Sequence, residues 1–281
     1  MPKLTPRRLI VCADDYALSP GVSLGIRQLA AARRLSATSV MTCMPHWPAE
    51  AEALQPLADQ IAIGLHFTLT DQTPLGPMPH LAGKGRLPGV ARVIGLCLGN
   101  RLPTDEIRQE LDRQWACFIR YFGRPPDFLD GHQHVHLLPG IDKLVLQAMA
   151  DRPNPAPCWL RDCVDPWLWR RPEAPKAGLI SLLGLRFAQG LRRQGLPCNQ
   201  GFSGFYDAKR SNLAAALPGL LRQIGDRHLL MVHPGHVDDA LRAVDGLTDS
   251  RQTEWDFLMG PDFPAFLERQ ALVLAGREDI P

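Results

Sequence analysis

Residues 9–21 read LIVCADDYALSPG. An apolar run, Leu9 to Ala13, ends in two adjacent carboxylates, Asp14 and Asp15. Ser19-Pro20-Gly21 then turns the chain into an amphipathic stretch, Pro20–Arg33. A short buried strand, a turn and a helix make one β/α unit. Two like charges at the end of such a strand are costly to bury unless something binds them.

The unit recurs along the chain. Short apolar runs predict strands at Arg8–Ala13, Ser39–Met44 (SVMTCM), Ile61–His66 (IAIGLH), Phe128–Asp130, Trp159–Arg161 (WLR), Leu229–His233 (LLMVH) and Ala271–Leu274 (ALVL). Helical patterns lie between them at Ala49–Leu57, Thr104–Phe122, Ile141–Ala150, Ala177–Gln194, Leu213–Ile224, Trp255–Met259 and Phe263–Glu268. The clearest is Thr104–Phe122. Thr104 is the expected cap, Asp105 and Glu106 suit the first turn, and Ile107, Leu111, Trp115, Phe118 and Phe122 form one buried stripe. Residues 70–90, rich in Pro and Gly, read as a long loop. Strand–helix alternation predicts an α/β fold with parallel strands and helical crossovers. The 281 residues match one α/β barrel, and no repeat or linker divides them, so 1–281 reads as a single domain.

Composition narrows the function. Lys and Arg number 31 against 29 Asp and Glu, a balance that argues against a nucleic-acid binder. The seven cysteines are scattered, odd in number and without a C-x-x-C pair, which predicts reduced thiols in a cytoplasmic protein. MPKLTPRRLIV runs into the first strand with no expected signal peptide, and no apolar window is long enough to span a bilayer.

The polar residues fall at strand ends. IAIGL ends in His66, FLDGHQHVH runs from Asp130 through His132, His134 and His136, WLR ends in Arg161, and LLMV ends in His233. In parallel α/β folds, the carboxyl ends of the strands build the site. One Asp and two His make a mixed oxygen–nitrogen ligand set for a single divalent metal, suiting Zn²⁺, Ni²⁺, Co²⁺ or Fe²⁺ better than Mg²⁺. One carboxylate of the pair would coordinate, and the other would act on water as a general base. Each residue alone has a plainer reading. An Asp pair commonly caps a helix, His66 would be a hydrogen-bonded core residue, His233 a loop cap, and Arg161 a partner for Asp162 or Asp165. His46, His80 and His228 receive no functional role. If extended, the H-x-H-x-H run puts its histidines on one face, with one or two on the metal and the others orienting ligands or touching substrate.

These motifs, with IAIGLHFTLTD, FGRPPDFLDGHQHVHLLPGI and MVHPGHVDD, resemble the YdjC-like carbohydrate deacetylase family, which includes chitooligosaccharide deacetylases and hopanoid-associated relatives. The resemblance implies a distorted (β/α) barrel related to NodB-type polysaccharide deacetylases. It also implies a divalent metal and hydrolysis of an N-acetyl group on an amino sugar. By resemblance, Asp14 matches the catalytic base and Asp15, His66 and His132 the metal ligands. His233 matches a late histidine that protonates the leaving amine. His134, His136, Arg161 and Phe205 are expected around the substrate. Two departures stand out: Tyr16-Ala17 where the family has Phe-Gly, and Gln133 within the histidine run. Both are expected to reshape the pocket.

The substrate is expected to be an N-acetylated oligosaccharide or glycolipid. GFSGFY (201–206) offers Phe205 or Tyr206 to stack on a sugar. Residues 166–194 carry Trp167, Trp169, Arg170, Arg171 and a leucine-rich stretch. This segment is read first as a barrel-covering helix or homodimer contact, and second as a peripheral membrane contact. Competing readings are another metal hydrolase, such as a phosphoesterase or cyclic amidase, and a sugar-binding relative without catalysis.

Overall fold

The structure, a computed structural model, describes residues 6–152, 158–165, 175–208, 210–246 and 248–281. Its frame is an eight-stranded sheet in which every described pairing is parallel. The strands are β1 (Arg7–Tyr16), β2 (Ala37–Val40), β3 (Ala62–Phe67), β4 (Phe128–Gly131), β5 (Trp159–Leu160), β6 (Phe202–Ser203), β7 (His228–Val232) and β8 (Leu272–Leu274). Their order is β5-β4-β3-β2-β1-β7-β6, with β8 pairing the start of β1. The two edges approach each other. Leu160 bridges Cys198 in parallel, and the Phe202 N–H donates to the Val164 carbonyl at 3.1 Å. The sheet thus curls into an irregular barrel, as the alternation predicts.

Ten helices wrap it among the described residues: α1 (Pro20–Ala31), α2 (Trp47–Leu54), α3 (Val90–Leu98), α4 (Thr104–Phe122), α5 (Ile141–Ala150), α6 (Pro175–Gln194), α7 (Leu213–Leu220), α8 (Asp239–Val244), α9 (Asp249–Met259) and α10 (Asp262–Arg269). The interior is filled in layers. The rings of Phe128 and Trp159, partners in register, stack at 4.3 Å. The Phe128 ring lies against Gly64 of β3, where a Cβ would come within 2.5 Å of it. Two residues further along β3 and β4 the same inward face carries His66 opposite Asp130. The apolar layer therefore ends where the polar one begins.

The structure amends several expectations. β2 ends at Val40, and residues 41–44 leave the sheet, with the Met41 N–H on the Tyr16 carbonyl. Thr104 lies inside α4, and Pro103 in the cap position offers no side-chain bond. α7 stops at Leu220, and α3, α8 and β6 were not expected at all. α6 forms as expected, but Trp167, Trp169, Arg170 and Arg171 lie outside the described residues. No helix among the described residues is long and apolar enough to cross a membrane.

Candidate metal centre and active site

The adjacent carboxylates meet because β1 is irregular. Ala13 pairs with Thr38 and Tyr16 with Val40, so Asp14 and Asp15 together face Ser39 alone. In a regular strand, neighbours point to opposite faces. The bulge, with Asp15 in the left-handed region at φ 66°, turns both side chains into one cavity. Aspartate tolerates that conformation better than most residues. The cavity has a volume of about 530 Å³ and sits at the carboxyl ends of the strands.

Asp15 gathers two histidines. Its Oδ1 lies 3.3 Å from His66 Nε2 and 2.9 Å from His132 Nδ1. These three ligand atoms lie within 4.8 Å of one another. His66 Nδ1 is 2.6 Å from Asp130 Oδ1 and 3.0 Å from Ser39 Oγ. Held from behind in this way, the ring presents Nε2 to the site, as metal-binding imidazoles require. Burial opposes charge on this ring, yet Asp130, Asp15 and Asp14 push its pKa up to about 10, so a metal at Nε2 would bind by displacing a proton. Burial alone would raise the Asp15 carboxyl, but Arg251 and His132 hold it well below the usual carboxylate range.

Asp14 is served separately. Arg161, fully buried, grips it with two bonds, Nη1–Oδ2 at 2.7 Å and Nη2–Oδ1 at 2.6 Å. The same guanidinium also pairs with Asp130 and reaches Cys12 Sγ at 3.1 Å. Cys12, Asp14 and Asp130 form a second cluster of potential ligands, and Arg161 already supplies its cation. Against burial, Arg161 keeps Asp14 well below the ordinary carboxylate range. Around the site, Asp14 and Asp130 share the guanidinium of Arg161, Asp15 and Asp245 share that of Arg251, and Glu254 lines the cavity bonded to the His233 N–H and the Tyr206 O–H. That anionic excess, with one oxygen and two imidazole donors converging, fits a divalent cation held by Asp15, His66 and His132.

His233 follows β7 and lines the same cavity. Its main-chain N–H donates to Glu254 Oε2 at 2.6 Å, while the Tyr206 O–H donates to Oε1 at 2.6 Å. Glu254 thus fixes the end of β7 against the 201–206 loop.

The H-x-H-x-H run is not extended. Residues 132–137 form tight 3₁₀ turns with Gln133 and His134 left-handed at φ 53° and 59°, so the three rings part company. His132 reaches Asp15. His134 lines the cavity with its ring 5.1 Å from that of Phe205, which also lines it. His136 is fully buried, its Nε2 3.3 Å from the Arg161 carbonyl and its ring edge-on to Phe187. Burial pushes its pKa down to about 4, so it is neutral at pH 7. His136 and Arg161 stand behind the cavity rather than on its wall, and Arg161 pairs with Asp14 and Asp130 instead of Asp162 or Asp165. Tyr16 is likewise turned away: its buried O–H donates to the Glu50 carbonyl and accepts from Arg27. Of the two departures from the family pattern, Gln133 faces the cavity and Tyr16 does not. Ala17 takes φ 73°, a value glycine adopts more freely. Sequence reasoning missed the roles of Asp130, Arg251 and Glu254, although Asp130 stood at a strand end.

The outer wall is apolar. Val90 and Ile94 of α3 face the cavity with Leu179, Ile180 and Leu183 of α6.

Residues 8–269 match the YdjC-like protein family. Over 280 residues the chain is 29% identical to the chitooligosaccharide deacetylase of Proteus mirabilis (strain HI4320), covering 97% of this chain and 98% of the relative. It is 40% identical over 144 residues to the chitooligosaccharide deacetylase of Enterobacter sp. (strain 638), covering 50% of this chain and 55% of the relative. A solved structure from Enterococcus faecalis V583, provisionally described as a cellobiose-phosphate cleavage protein, matches with a TM-score of 0.74 at 21% identity. That match covers 97% of this chain and 98% of the other.

Proposed function

The chain belongs to the YdjC-like family, and on that premise we propose that it is a metal-dependent hydrolase removing the N-acetyl group from an amino sugar. One observation carries the reading: the β1 bulge brings two carboxylates to one cavity, one with two histidines and one with an arginine, with His233 on the same wall. The relatives named as chitooligosaccharide deacetylases support the same chemistry.

Asp15, His66 and His132 would hold a divalent ion, which when bound would lend Lewis acidity toward an acetamide carbonyl and water. Zn²⁺, Ni²⁺ or Co²⁺ suits these donors, with Mg²⁺ the less matched alternative. Asp14 takes the proton of the attacking water. Arg161 and, at 3.3 Å, Ser39 occupy Oδ1, while Oδ2 accepts from Arg161 alone and keeps a lone pair for the water proton. The Arg161 pair holds Asp14 in the ionised form, the form that can accept a proton. His233 gives a proton to the departing sugar nitrogen, its main chain fixed by Glu254. Acetate and a free amine leave. Phe205 and His134 form the wall on which a sugar ring packs, and the α3–α6 side suits a substrate whose sugar carries an apolar group.

All of 1–281 serves this reaction as one domain, and the seven free cysteines suit a reducing cytoplasm. The test is acetate release from N-acetylated chitooligosaccharides and N-acetylglucosaminyl lipids. Release that stops with chelator and returns with added Zn²⁺ or Co²⁺ is expected. Hydrolysis of phosphoesters with no acetate from any N-acetyl sugar would replace this reading with the phosphoesterase one.

A further inference from the structure

Arg251 lies in the first turns of α9, far along the chain from the carboxylate it holds, and only 1% of it is exposed. Burying a guanidinium costs several kcal/mol unless partners offset it. It has two. Its Nη2 lies 2.6 Å from Asp15 Oδ2 and 2.6 Å from Asp245 Oδ2, and its Nε lies 3.0 Å from Asp245 Oδ2. The two oxygens of Asp15 are therefore divided. Oδ2 belongs to Arg251, while Oδ1 alone faces His66 and His132.

We infer that Arg251 is a positioning residue for the metal centre: it confines Asp15 to presenting a single oxygen to the cation, and so sets the site's affinity. Asp15 needs such a clamp. It sits in a bulge with left-handed backbone, where regular pairing does not fix its direction. A carboxylate free to rotate would chelate through both oxygens or swing toward solvent. Asp245 completes the device by neutralising a guanidinium that would otherwise repel a cation on the far side of Asp15. The main-chain carbonyl of Arg251 accepts the Gly235 N–H at 3.1 Å. Gly235 belongs to the turn after His233, so Arg251 ties the metal carboxylate to the segment bearing the proposed acid.

The inference rests on the deacetylase reading only through the metal, and metal binding is measured without substrate, so the two fail separately. Arg251→Met is purified, its fold checked by circular dichroism, and Co²⁺ affinity measured by calorimetry together with the cobalt absorption spectrum. We expect affinity to fall about 10- to 100-fold, the range for loss of an outer-shell partner. The cobalt bands should shift as Asp15 reorients, and Arg251→Lys should recover part of both. If Arg251→Met does not fold, Asp245→Asn carries the test. It frees the guanidinium to compete for Asp15, and a several-fold loss of Co²⁺ affinity is expected. Wild-type affinity and an unchanged spectrum in the folded Arg251→Met, or unchanged affinity in Asp245→Asn, would overturn the inference.

Discussion

Asp14 and Asp15 are neighbours in sequence but belong to different electrostatic systems. Arg161 holds Asp14 by both oxygens, whereas Asp15 is shared between Arg251 and two imidazoles. Removing Arg161 would leave Asp14 and Asp130 buried without their cation. Arg161→Met is therefore expected to cost about 3–5 kcal/mol, measured by denaturant unfolding. The Asp pair, His66 and His233 were visible because each closes an apolar run, and His132 because it opens the histidine run. Their partners were not: 147 residues separate Asp14 from Arg161, and 236 separate Asp15 from Arg251. No local spacing encodes such pairs. The bulge was equally hidden, since it is a property of the register between β1 and β2.

At the level of elements, local signals served best where one face alone decides the structure. The apolar stripe of α4 gave its bounds as observed, Thr104–Phe122, and α5 likewise matched at Ile141–Ala150. The histidine run does not take the extended form that would put its rings on one face, because Gln133 and His134 adopt left-handed turns. α3 was missed because it buries little, with Val93 its one fully buried residue. Its apolar residues line the cavity instead, together with those of α6. Leu183→Asn in α6 is expected to raise KM about tenfold for an N-acetylglucosaminide with an alkyl aglycone, the effect of losing one buried aliphatic contact. The KM for a chitooligosaccharide should stay unchanged. Steady-state kinetics on the two substrates separates these effects, and equal changes on both would remove the apolar-group reading.

Across the whole molecule, the charged site shapes how stability depends on pH. His136 lies against Arg161 within the barrel, with its pKa near 4, against about 6.5 in the unfolded chain. Between those values the unfolded state binds the extra proton. Stability thus rises with pH through that window and falls as the solution is acidified from about 6.5 toward 4. Unfolding at about pH 7 and about pH 5 is expected to differ by on the order of 2 kcal/mol more in the wild type than in His136→Gln. The barrel itself was legible from strand–helix alternation, because parallel strands need crossovers. Its closure was not, since the Leu160–Cys198 bridge depends on two short irregular segments.

The central claim is that two adjacent carboxylates divide one reaction between them, Asp15 holding the metal and Asp14 taking the proton of water. Asp14→Asn tests it most directly, with bound metal and acetate release measured on the same purified sample. The account predicts wild-type metal content and a loss of acetate release of at least about 100-fold. Full turnover in Asp14→Asn, or loss of the metal along with the activity, would contradict it.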